Sequence, residues 1–146
     1  GARSPTSGIA TSVGQIIPPI SDPSGSKMHI LGIINLSDFH VMDAPMQLSN
    51  IPFGLPAIND RSRKPTPQKH KVGTTLNHSI HFHTHEGFRA DELTYIEAET
   101  SWARDARAMI STKIFSKDGL LIATCVQEAF YVFKEDAFKR DTDTKL

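Results

Sequence analysis

Cysteine occurs once in this 146-residue chain, at Cys125. That scarcity excludes an intramolecular disulfide and any cysteine-built zinc cluster, and it suits a reducing compartment. Charge of one sign is missing too, since Lys plus Arg and Asp plus Glu are 16 each and the formal net charge is zero. No field of one sign is available to recruit nucleic acid. No apolar run approaches the roughly 18 residues of a membrane span, and no signal-peptide pattern opens the chain, so the sequence reads as a soluble protein. Glycine-rich phosphate loops are absent, and so is the Gly-x-Ser-x-Gly elbow of serine hydrolases of the α/β type. The length is that of one domain with a real core. The start, Gly1-Ala2-Arg3-Ser4-Pro5-Thr6-Ser7-Gly8, lacks an initiator Met and looks like linker. We read the chain as a piece of something longer, its first two residues being a remnant of cloning or cleavage.

Residues 1–26 are rich in Gly, Ser and Pro, and their one apolar stretch, Ile9 to Ile20, is broken by Pro18 and Pro19. They predict a linker with at most one edge strand. At Ser26 the pattern changes. Ser26 can cap a helix in which Met28, Ile30, Leu31, Ile33, Ile34 and Leu36 leave almost no polar face, and a helix apolar nearly all round is a buried one. The pattern runs on through Asn35, Ser37, Asp38 and Phe39 to Val41-Met42, with Pro45 as the expected stop. Residues 49–71 form a long irregular connection with four prolines and the basic residues Arg61, Arg63, Lys64, Lys69 and Lys71; such loops are usually functional or disordered.

Everything after Gly73 reads as antiparallel strand. From Leu76 to His83, positions 76, 80 and 82 give an apolar face and 77, 79, 81 and 83 a polar one. Further strands are expected from Leu93 to Thr100, from Ala106 to Ser116 and from Leu120 to Phe133. Asp118-Gly119 lies between the last two and predicts a two-residue hairpin. Lys117 would then face Leu120, and counting outward places Ile110 opposite Gln127. The order of elements is an α+β fold, a long central helix wrapped by a curved antiparallel sheet. The domain would span 27–134, between the 1–26 segment and a 135–146 tail.

Gln127 interrupts the most apolar strand of the chain. Burying an amide without hydrogen bonds costs about 1–3 kcal/mol, so an inward Gln127 needs a water or a substrate to hold; the alternative is a Gln facing solvent from a half-exposed strand. Asp38 closes an apolar helical run, where burial would make it a better base near neutral pH; the alternative is a partly exposed Asp at a helix bend. Thr75, at the opening of a strand, is unremarkable by itself. His81, His83 and His85 share one strand face and, with His78, invite a metal reading. No carboxylate or cysteine at a suitable spacing completes a zinc site, and a solvated polar face explains the histidines equally well. Cys125 has the strand parity of Gln127 but no base or cation beside it in sequence, and buried cysteines are usually inert.

Five segments carry a family resemblance: Leu36-Ser37-Asp38-Phe39, Thr75-Leu76-Asn77-His78-Ser79-Ile80-His81-Phe82-His83, Arg89-Ala90-Asp91-Glu92-Leu93, Ser116-Lys117-Asp118-Gly119 and Cys125-Val126-Gln127-Glu128. In this order and spacing, over about residues 28–133, the chain resembles the C-terminal half of a type II acyl-CoA thioesterase. The resemblance implies a hotdog fold, in a family that joins two hotdog domains in tandem. It also implies hydrolysis of fatty acyl-CoA to fatty acid and CoA without a serine nucleophile, cofactor or metal. Asp38, Thr75 and Gln127 fall where that family holds its attacking water. Asp38 would act as general base, and the Thr75 hydroxyl and Gln127 amide would orient the water.

Two departures lie beside that strand: Asn77 stands where the family usually has Asp, and His81 where Trp is common. The 49–71 connection looks longer than the family norm, and its basic residues either meet CoA phosphates or belong to a solvated loop. Since hotdog domains work in pairs, the expected partners besides acyl-CoA are the N-terminal hotdog half or a second copy of the chain, with no nucleic acid and no membrane span. A non-catalytic hotdog module that binds acyl-CoA or pairs with a catalytic subunit is the alternative. The tripeptide Thr144-Lys145-Leu146 resembles a peroxisomal signal of the Ser-Lys-Leu type; without it the expected location is cytoplasmic.

Overall fold

The computed structural model describes residues 9–21, 25–38, 41–48 and 69–135. Phe39, the basic residues Arg61, Arg63 and Lys64, and the Thr144-Lys145-Leu146 end lie outside the described residues. The elements are β1 (Ile9–Gly14), α1 (Lys27–Asp38), α2 (Asp43–Leu48), β2 (His70–Phe82), β3 (Thr94–Arg104), β4 (Arg107–Phe115) and β5 (Leu121–Phe133). One five-stranded sheet has the order β1-β3-β4-β5-β2, with every neighbouring pair antiparallel. The segment before the helix therefore does supply an edge strand. Among the described residues no helix is long and apolar enough to cross a membrane.

The Ser26 carbonyl accepts the first helical bond of α1 from the Ile30 amide at 2.9 Å, which places Ser26 at the cap. The helix ends at Asp38 instead of running to Met42. Val41 and Met42 form a turn, held to the sheet by the Tyr131 hydroxyl donating to the Met42 carbonyl at 2.9 Å. Pro45 is no stop; it sits in the first turn of α2, where a missing N–H is tolerated because those amides have no partner within a helix.

Ile33 and Leu36 of α1 join Ile96, Ala98, Ile110, Ile114, Ile122, Ala123, Ala129 and Tyr131 of the sheet in one core. The expectation of an all-round buried helix fails on its other side, where Met28 is 47%, Leu31 56% and Ile34 39% exposed. One sheet covers one stripe of a helix, so among the described residues a second apolar stripe stays largely exposed.

The stretch after β1 is tied down by Asp91. Arg89 grips its carboxylate with two bonds, Nε to Oδ1 at 2.9 Å and Nη2 to Oδ2 at 2.7 Å, while the Ile20 amide donates to Oδ2 at 2.7 Å. The backbone joins in through the Ile16 amide on the Ala90 carbonyl at 2.9 Å and the Gln15 side chain on the Asp91 carbonyl at 3.0 Å. The Arg89 guanidinium, helped by the Ile20 amide against burial, lowers the Asp91 carboxyl from 3.8 to about 2. Against this loop packs Gly32 of α1, where an added Cβ would sit 2.6 Å from the Cβ of Ala90.

Two tests follow from this packing. Gly32→Ala gains about 1 kcal/mol of helix propensity, but Ala90 is bonded at both its N–H and its C=O and has no room to retreat. The overpacking cost of about 1–3 kcal/mol therefore wins, and urea unfolding should show a lower midpoint. Because the folded-state value of Asp91 lies below its unfolded one, its contribution is fully present above the ordinary carboxyl value and is lost as pH falls from about 3.8 to about 2. In Asp91→Asn the unfolding midpoint should be lower near neutral pH, and the difference from the unsubstituted chain should shrink across that acid window.

Candidate active site

Along β5, Ala123, Cys125, Gln127, Ala129 and Tyr131 alternate inward. Gln127 is 1% exposed, so its amide faces the core and the solvent-facing alternative is excluded. Its neighbours across the sheet are Ile110 of β4 and His78 of β2. The pairing with Ile110 matches the count from the hairpin, although the hairpin is not the expected one. The Ser116 amide donates to the Leu120 carbonyl at 2.9 Å and the Gly119 amide to the Ser116 carbonyl at 3.0 Å, enclosing a three-residue loop with Gly119 at φ 83. That extra loop residue is cancelled within β5: Phe115 pairs with Leu121 and Ile114 with Ala123, leaving Ile122 as a bulge.

A second bulge brings in Thr75. On β2, Thr75 pairs with Ala129 and Asn77 with Glu128, so Leu76 is the unpaired residue. The side chain of Leu76 is exposed, as is that of Asn77, whereas Thr75, His78, Ile80 and Phe82 are partly buried. Strict alternation had put Leu76 with Ile80 and Phe82; the bulge reverses the parity at this point and turns Thr75 to the side of Gln127.

Asp38 arrives from the third direction, at the last turn of α1. The Gln127 Nε2 donates to Asp38 Oδ1 at 2.5 Å and to Thr75 Oγ1 at 2.5 Å, and the Thr75 hydroxyl donates to the same Oδ1 at 3.2 Å. Residues separated by 89 and 52 positions thus meet in one triangle. Asp38 itself is exposed, the second of its two expected settings; α1 ends there, on the side that the described residues leave open. The Gln127 Oε1 is buried and has no partner among the described residues, at a cost of about 1–3 kcal/mol for such a group.

A depression of about 310 Å³ beside the triangle is lined by Ile34, Asn35, Asp38 and His78. His78 also meets Ser37, with Nε2 3.3 Å from the Ser37 Oγ, and Ser37 donates to the Ile34 carbonyl at 2.7 Å. Cys125 is buried, and burial, against a smaller opposite pull from Ser37, pushes its thiol up to about 11, where a thiolate does not form near neutrality. Of the remaining histidines, His83 bonds the Thr124 hydroxyl at 3.0 Å. No group of three or more His, Cys, Asp or Glu that could hold a metal converges among the described residues. His78 and Ser37 were the neighbours that sequence reasoning missed. No turn joins β2 to β5, so the hairpin count could not be carried across to His78.

The sequence profile of the acyl-CoA thioesterase C-terminal domain matches residues 15–131. The chain belongs to this family. Curated relatives include acyl-coenzyme A thioesterase 8 of Mus musculus and of Homo sapiens, each 38% identical over 66 residues. That match covers 44% of this chain and only 20% of each relative. The thioesterase C-terminal domain is also similar in structure to the acyl-CoA thioesterase II TesB2 from Mycobacterium marinum. There the TM-score is 0.62 at 21% identity, over 87% of this chain and 42% of that one. A hot-dog-like protein from Thermanaerovibrio acidaminovorans matches with a TM-score of 0.52 at 11% identity, over 89% of this chain and 84% of that one. At these identities the structural likenesses speak for the fold, which is the expected α+β hotdog.

The unpaired Oε1 yields a test that separates stability from chemistry in this thioesterase domain. Gln127→Met removes the unsatisfied Oε1 together with the two N–H bonds, but Asp38 is exposed and keeps the Thr75 hydroxyl, so relief of the buried oxygen, about 1–3 kcal/mol, offsets the bonds lost. Its denaturation midpoint should stay close to that of the unsubstituted domain while the Asp38–Thr75–Gln127 triangle is broken.

Proposed function

We propose that this chain is the C-terminal hotdog of an acyl-CoA thioesterase that hydrolyses fatty acyl-CoA to fatty acid and CoA. The observation that carries the reading is the meeting of a carboxylate, a hydroxyl and a carboxamide from α1, β2 and β5 beside an open depression. In this mechanism the attacking water sits against Asp38. With Oδ1 engaged by both Thr75 and Gln127, the other carboxylate oxygen takes the proton as the water oxygen attacks the thioester carbon. The Gln127 amide does no proton chemistry; its two N–H groups fix the carboxylate and the hydroxyl, and through them the place of the water. Cys125 takes no part.

The proposal includes a partner. The exposed stripe of Met28, Leu31 and Ile34 runs along α1 toward Asp38, and Ile34 also lines the depression. A second hotdog, either the first half of a double hotdog or another copy of this chain, laid on that stripe would cover apolar surface and enclose the carboxylate in one step.

The test is hydrolysis of a fatty acyl-CoA series by the chain, alone and supplied with a first hotdog half. Asp38→Asn and Gln127→Ala should each lower the rate by about 10²–10⁴-fold, the range for a positioned general base, with unchanged circular dichroism. Folded variants at full rate would sink the catalytic assignment. Binding of acyl-CoA without turnover by the unsubstituted protein would favour the non-catalytic module.

A further inference from the structure

We infer that His78 is a fourth working residue of this site, the acid that protonates the departing CoA sulfur. The inference rests on the thioester-hydrolysis reading above. Hydrolysis by that route leaves one requirement unassigned. Asp38 takes a proton from water, and Thr75 and Gln127 hold the reacting groups, but the departing alkyl thiolate must still gain a proton, and one delivered as the carbon–sulfur bond breaks eases its departure and blocks its return. Among the described residues that line the depression, Ile34 has no polar side-chain atom, Asn35 can donate a hydrogen bond but not a proton, and Asp38 is already the base. His78 is what remains, and imidazole is the side chain suited to giving and recovering a proton near neutrality.

Its placement fits the task. His78 lies directly across from Gln127 in the β2–β5 register, on the face to which the Leu76 bulge also returns Thr75, and it is partly exposed, so a bound thioester has access to it. The Ser37 contact bears on which nitrogen works. We take the His78 tautomer in which Nε2 donates to the Ser37 oxygen at 3.3 Å, the one that matches the Ser37 hydroxyl donating to the Ile34 carbonyl at 2.7 Å. Nε2 therefore carries a hydrogen whether the ring is neutral or charged, and the exchangeable proton is the one on Nδ1. The ring keeps its Ser37 bond before and after transfer, so losing the proton demands no reorientation.

The step balances. The water oxygen bonds to the carbonyl carbon and passes a proton to Asp38. The carbon–sulfur bond breaks with its electron pair going to sulfur, and the sulfur takes the Nδ1 proton. Asp38 then releases its proton to solvent and His78 regains one, so thioester and water become carboxylic acid and thiol.

Leaving-group chemistry tests this, because an aryl thiol acidic enough to depart as its thiolate needs no acid. Each variant is assayed on a fatty acyl-CoA and on the aryl thioester of the same acyl chain, under the conditions in which the unsubstituted protein is active. His78→Gln, whose amide can still donate to Ser37, should lose about 10²-fold or more in kcat on acyl-CoA while staying close to the unsubstituted rate on the aryl thioester. Asp38→Asn should lose on both. If His78→Gln keeps its rate on acyl-CoA, or loses equally on the two substrates, the acid role is overturned while the thioesterase reading stands. If Asp38→Asn retains full rate on both, the catalytic reading beneath it fails instead. His78→Asn provides the same comparison should the Gln variant not fold.

Discussion

The two N–H bonds of one buried amide hold this site together. Gln127 spends one on the carboxylate at the end of α1 and the other on the hydroxyl beside the β2 bulge. Each contact sets a condition on a different part of the chain. The helix must end at Asp38, β2 must carry one unpaired residue at Leu76, and β5 must keep the parity that buries Gln127 between Cys125 and Ala129. A strand has no intermediate setting: a slip of one residue moves a side chain to the opposite face. The geometry is therefore held by register, and register is held by the apolar side chains above and below.

Much of this was legible because short-range patterns report on short-range constraints. The cap at Ser26, the edge strand before the helix, the parity of β5 and the pairing of Ile110 with Gln127 all follow from local residue order. The pairing came out despite a turn of different length, since the loop residue beyond the expected two and the bulge at Ile122 cancel. What escaped was set by tertiary contact. Nothing in Thr75-Leu76-Asn77 announces a bulge, which shows only in the pairing with β5. Asp105 and Ala106, at φ 53 and 63, make a tight turn between β3 and β4 without the glycine or asparagine that would mark it. The end of α1 was hidden by an apolar pattern that continues through Val41 and Met42, residues the chain uses to anchor a turn on Tyr131.

The segments that carry the family resemblance prove to have different jobs. Thr75 and Gln127 meet at the site, whereas Arg89 and Asp91 stand away from it and clamp the chain between β1 and α1. The clamp bears on the site through the helix: Gly32 lies against Ala90, and α1 carries Asp38 at its far end. Resemblance alone does not distinguish a residue of the candidate site from one that fixes a helix's position; burial and bonding do.

The bulge at Ile122 has a consequence for the phase of this hairpin. It lies between the loop and Gln127, and both Ile122 and Ala123 are fully buried, so the strand takes up its extra residue before the site is reached. The three-residue loop and the bulge together leave the same side chains facing inward from Ala123 onward as a two-residue turn without a bulge would. The amide at the middle of the hairpin keeps its phase because the offset is made on the loop side of it.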